Sequence, residues 1–128
     1  MKTLLLCSLL AASAAFVYAA DTPSITGKWQ VHISVSGNDS DQVCTFTQKD
    51  DALSGTCTSE RGTFELNGNI TGNKVKWSYK SEYEGTPLTV KFEGALDSES
   101  RMKGSVDVPE FGASGDFSAT QSKEERGQ

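Results

Sequence analysis

The chain has 128 residues, with 12 Lys and Arg against 17 Asp and Glu and a formal net charge of −5. That length allows one domain. The acidic balance excludes the phosphate-neutralising face of a nucleic-acid binder and attraction to an anionic membrane surface.

Residues 1–19 read as a secretory leader. Lys2 precedes an apolar run through Leu4, Leu5, Leu6, Leu9, Leu10, Phe16 and Val17, and Val17-Tyr18-Ala19 suits a cleavage site. The run is too short and too weakly flanked for a spanning helix, so no membrane insertion is expected. Cleavage after Ala19 removes Lys2 and Cys7 and implies a secreted or periplasmic product, with a domain over 20–121 and a frayed, charged tail over 122–128.

Beyond Thr22 the apolar residues alternate with polar ones and show no helical period. Trp29, Val31, Ile33 and Val35 share one face of a first strand, and His32 falls on the other. Cys44 and Cys57 flank a hairpin centred on Asp50-Asp51. That register opposes Gln48 to Leu53, Phe46 to Gly55, and Cys44 to Cys57. An even pair of cysteines in an exported chain predicts a disulfide. Gly72-Asn73 predicts a tight hairpin that sets Ile70 opposite Val75 and Gly68 opposite Trp77. Leu88, Val90 and Phe92, then Met102, Val106 and Val108, then Phe117 and Ala119 continue the alternation. Eight strands are expected, at 26–36, 42–48, 53–59, 63–71, 74–81, 87–96, 101–108 and 114–121.

Short links and a single apolar face predict an all-β, eight-stranded antiparallel up-and-down barrel. Gly55, Gly68, Gly94 and Gly104 take the inward parity, where they make room for large side chains and permit tight coiling.

Thr26-Gly27-Lys28-Trp29 resembles the Gly-x-Trp opening of calycins, the lipocalin and avidin-like barrels. Leu53-Ser54-Gly55-Thr56 and Val75-Lys76-Trp77 are similar to strands of avidin-type proteins. The resemblance implies a barrel that binds a small molecule in its mouth. Biotin is not expected, because Val31 and Ile33 fill the inward positions after Trp29, and Gly55-Thr56-Cys57 has no tyrosine. The chain also resembles small secreted inhibitors of bacterial metalloproteases, which act through a free N-terminal segment. Residues 20–25 would supply that segment here.

Catalysis finds little support. Parity puts His32 on the wet face, no Gly-x-Ser-x-Gly elbow is present, and Glu65, Glu93, Asp107 and Asp116 face outward. No metal site is expected, since Cys44, Cys57 and His32 are too few for zinc and the Asp39, Asp41, Asp50 and Asp51 spacings suit turns better than calcium. No cofactor is implied. Asn38 and Asn69 are sequons that matter only in a glycosylating host. The inward aromatics Trp29, Phe46, Phe64, Trp77, Tyr79, Phe92 and Phe117 are first of all a core.

The leading expectation is a non-enzymatic, monomeric barrel that binds a small apolar or amphipathic ligand at one mouth. Trp29, Trp77, Tyr79 and Phe92 would line that mouth, Gln48 and Tyr79 would orient the ligand, and Tyr83 would cap it. The alternatives are a protease inhibitor or protein-interaction barrel acting through its N-terminal segment or loops, and a self-assembling extracellular structural subunit.

Overall fold

The computed structural model describes residues 24–122. The expected leader at 1–19 and all but the first residue of the expected tail lie outside the described residues.

The strands are β1 (Gly27–Val35), β2 (Asn38–Lys49), β3 (Ala52–Ser59), β4 (Gly62–Thr71), β5 (Lys74–Tyr83), β6 (Thr86–Ser98), β7 (Arg101–Val108) and β8 (Ala113–Gln121). Each pairs antiparallel with its successor, and β8 closes on β1 from Trp29↔Gln121 to Val35↔Gly115. The fold is a closed up-and-down barrel, as expected. Short links force neighbours in sequence to pair, and closure removes the unpaired edges.

The expected registers hold. Cys44 opposes Cys57 and Phe46 opposes Gly55 between β2 and β3. Ile70 opposes Val75 and Gly68 opposes Trp77 between β4 and β5. The Cys44–Cys57 disulfide is formed and both residues are buried inside the barrel. Closing a loop of that size stabilises by about 3 kcal/mol in the chain-entropy account.

Two hairpins run further than the sequence suggests. The first turn is Ser36-Gly37, with φ of 52° and 82°, rather than the longer link between 36 and 42 that the expected strand bounds leave. Two successive positive φ values match the right-handed twist of the flanking strands. Pairing therefore reaches Val35↔Asn38, and β2 starts four residues earlier than expected. Glu84-Gly85, at φ 52° and 81°, does the same for β5 and β6, which pair out to Tyr83↔Thr86. The β7–β8 link contains a 3-10 turn, Pro109–Phe111, ended by Gly112 in the left-handed conformation.

The inward glycines work chiefly through the backbone. A Cβ on Gly68 would run into the Lys76 carbonyl and lie 2.6 Å from the Trp77 Cα. A Cβ on Gly55 would run into the Thr45 carbonyl. Strands at these points approach more closely than any side chain allows, which is how a narrow barrel coils.

The outer face carries Lys76, Lys91, Glu93, Lys103, Asp107 and Asp116, all exposed. A lipid-facing barrel needs an apolar outer band instead. Among the described residues no helix is long and apolar enough to cross a membrane.

Candidate functional site

The two ends of the barrel differ because their inward side chains differ. One end, the base, holds the β2–β3, β4–β5 and β6–β7 turns together with the entry into β1. Leu53, Ile70, Val75, Leu96 and Met102 fill it. Ile25 plugs it and is fully buried. The Ile25 N–H donates to Gln48 Oε1 at 2.9 Å, and its carbonyl accepts from Trp29 Nε1 at 2.9 Å. Gln121 Nε2 donates to the Thr26 carbonyl at 3.1 Å.

Above the base lies a solid aromatic layer. Trp77 stacks on Phe92, with centroids 4.6 Å apart and planes 8° from parallel. Phe46 and Phe117 meet Trp77 edge-on at 4.9 and 5.2 Å. The Trp77 indole N–H is buried and has no hydrogen-bond acceptor among the described residues.

At the other end, the mouth, the inward positions carry smaller groups. Ile33, Val35, Ser59, Ser81, Val90, Val106, Val108 and Ala113 replace the large rings, and a cavity of about 640 Å³ opens there. Small-molecule sites occupy roughly 300–1,000 Å³. Phe64 and Tyr79 form one wall, stacked at 5.2 Å and 10°. Tyr79 also touches Phe92, at 5.8 Å between centroids, and so joins the cavity wall to the aromatic layer.

One polar pair is set into this wall. Gln42 is buried, and its Nε2 donates to the Tyr79 hydroxyl at 2.9 Å. The Tyr79 hydroxyl lies 3.3 Å from Gln42 Oε1, and that oxygen is 3.4 Å from the disulfide sulfur of Cys44. A disulfide sulfur has no proton to give. Burial pushes the Tyr79 hydroxyl above its ordinary range, opposed by the hydrogen bond to Gln42. Tyr79 therefore stays a neutral phenol, able to donate or accept.

The rim is polar and charged. Asp39, Asp41, Glu60, Glu82 and Arg61 line it. Tyr83 and Phe111 meet edge-to-face with centroids 6.0 Å apart, and the Arg61 guanidinium sits 5.7 Å from the Tyr83 centroid. Glu110 ties the 3-10 turn beside Phe111 to β6. Its Oε1 accepts the Thr89 N–H at 2.9 Å and its Oε2 accepts the Thr89 hydroxyl at 3.0 Å. The Thr89 N–H holds the Glu110 carboxyl below its ordinary range.

The structure divides the residues singled out from sequence. Tyr79 and Tyr83 line the mouth cavity. Trp29 does not: it sits at the base under Ile25. Trp77 and Phe92 belong to the packed layer rather than to the cavity lining. Gln48 is at the base, its amide engaged at both ends by Ile25 and by the Asp50 carbonyl, 3.0 Å away. The two ends of a barrel share one inward parity, so alternation alone cannot tell mouth from base. Gln42 was missed, although it continues the parity of Cys44, Phe46 and Gln48.

Elsewhere, Ile25 is the base plug rather than part of a free arm, and residues 20–23 lie outside the described residues. His32 faces outward, with Nδ1 2.8 Å from Asp41 Oδ1 and Nε2 3.9 Å from Asp39 Oδ2. The Asp41 hydrogen bond raises its pKa. Among the described residues no group of three or more His, Cys, Asp or Glu is placed to hold a metal ion.

No family model and no curated protein sequence matches the chain. Solved structures do share its shape. A redesigned β-barrel superposes with a TM-score of 0.65 at 16% identity, over 82% of this chain and 96% of that one. A second, the redesigned β-barrel mFAP1 bound to DFHBI, gives a TM-score of 0.57 at 16% identity, over 81% of this chain and 98% of that one. At such identity the likeness is one of fold.

Proposed function

We propose that this chain is an exported, non-enzymatic barrel that takes a small apolar or amphipathic ligand through its mouth. The observation that carries the proposal is the one-sided filling of the interior. Large rings and the Ile25 plug occupy the base and middle, while the mouth half keeps a cavity of about 640 Å³ walled by aliphatic and aromatic side chains with serines among them. Burial of apolar surface against Ile33, Val90, Val106 and Val108 would supply the affinity. Gln42 and Tyr79 would fix the orientation, since an amide and a phenol in an apolar wall favour a ligand with a matching polar atom. A barrel of this shape bound to DFHBI supports the same reading.

Export is supported by the leader-like sequence of residues 1–19 and by the disulfide, which persists in oxidising compartments. The Gly27-Lys28-Trp29 opening sets Trp29 into the base and is in keeping with a calycin-like barrel. The absence of catalysis is proposed on placement: His32, the single histidine, lies on the outer face with exposed carboxylate partners.

The test is binding of the neutral, environment-sensitive dye Nile red. Val90→Trp would fill the cavity, whereas Lys91→Trp places the same ring on the outer face one residue away. The proposal expects saturable binding, weakened about tenfold or more by the first substitution and unchanged by the second. Absence of saturable binding, or equal binding by both variants, would overturn it.

A further inference from the structure

The rim of the mouth carries a chemical preference that the apolar cavity alone does not. Glu60 and Glu82 are among its lining residues, with the one guanidinium of Arg61, and the Asp39 and Asp41 carboxylates stand just outside it, turned to His32. An excess of acidic groups around a concave site favours ions of the opposite sign. A carboxylate or sulfate head group arriving here would meet net repulsion.

The second observation is aromatic. Tyr83 and Phe111 are the exposed large hydrophobic residues among those described, at 45% and 49% exposure, and both stand on this rim. They come from different hairpins, yet their rings meet at 6.0 Å in an edge-to-face pair. A face of Tyr83 already receives a cation, the Arg61 guanidinium, 5.7 Å from its centroid. Aromatic faces beside carboxylates form the setting in which an ammonium group is bound, through the ring quadrupole and the Coulomb attraction together. Arg61 is exposed and on a flexible stem, so a ligand cation can displace it at small cost.

We propose that the mouth selects cationic amphiphiles, with the apolar body in the barrel and an ammonium group between the Tyr83–Phe111 pair and the rim carboxylates. This rests on the ligand-binding function proposed above and assigns its ligand class.

The test compares three ligands of equal chain length by calorimetry on the folded chain, below micelle-forming concentrations and at low ionic strength. They are decyltrimethylammonium, decanol and decanoate. The ammonium is expected to bind about tenfold or more tightly than decanoate, with decanol between them and the gap closing as salt is added. The double variant Glu60→Gln/Glu82→Gln, both positions exposed, should lose most of that preference and keep decanol binding. Phe111→Ala should weaken the ammonium more than decanol. If decanol binds and decanoate matches or exceeds the ammonium, the charge preference is overturned while the pocket stands. If the preference survives the double variant, the rim assignment is overturned. If none of the three binds, the pocket and the preference fall together.

Discussion

Gln42 on β2 and Tyr79 on β5 meet across the barrel interior, amide nitrogen to phenol oxygen at 2.9 Å. Their strands are not neighbours, so the bond ties β2 to β5 across the inner side of β3 and β4. Tyr79→Phe is expected to cost about 1–3 kcal/mol, because it strands a buried amide without its partner. Gln42→Leu with Tyr79→Phe removes both partners and should recover most of that loss. Urea unfolding of the two single variants and the double variant closes the cycle. Additive losses would show that the pair does not interact.

Gly68 is expected to refuse any side chain. Its Cβ would collide with the Lys76 carbonyl and the Trp77 backbone, and β4 and β5 cannot separate without disturbing the Trp77–Phe92 stack. Gly68→Ala should destabilise by about 1–3 kcal/mol. Gly72→Ala has open space around its Cβ but a φ of 61°, so its cost should be the smaller, local one of a strained turn. Thermal melts of the pair separate crowding inside the wall from backbone strain at the tip.

The Cys44–Cys57 bridge lies inside the barrel beneath Gln42. Replacing both cysteines with alanine is expected to lower stability by about 2–4 kcal/mol. Because β2 and β3 keep their ladder without the bridge, the variant should still fold at low temperature. Circular dichroism and urea melts check both statements, and loss of sheet at low temperature would contradict them.

His32 titrates with a raised pKa because of its hydrogen bond to Asp41. A group that is more basic when folded contributes stability that is complete below its unfolded value. The contribution is lost as the pH rises through the folded value. Its effect should be modest, since the pair is exposed to solvent. The stability gap between the natural chain and His32→Gln should be complete below about pH 6.5, the ordinary histidine value, and fall away as the pH rises above it. A gap that grows with pH would contradict the Asp41 pairing.

The barrel was legible because its information is local and periodic. Alternation over residues 27–121 sorts inside from outside, and Gly72-Asn73 and Asp50-Asp51 set two registers without further help. The length of the first hairpin was not legible, since Ser36 is not a residue that announces a positive φ. Mouth and base were not separable either. Gln42 and Gln48 share one strand and one parity, yet one lines the cavity and the other holds Ile25. What distinguishes them is the volume of distant neighbours: Val90, Val106 and Ala113 near the mouth, Leu53, Ile70 and Met102 near the base. That difference appears only once eight strands are closed around one axis. Tyr83 was expected at the mouth, but nothing in the sequence placed Glu60, Arg61 and Phe111 beside it on one rim.

The most direct measurement is a methyl-resolved NMR titration of the folded chain with decanol. The account predicts saturable shifts at Ile33, Val90, Val106 and Val108, with little change at Leu53, Ile70 and Val75 in the base. Shifts centred on the base or outer face, or no saturable shifts at all, would contradict a ligand site in the mouth.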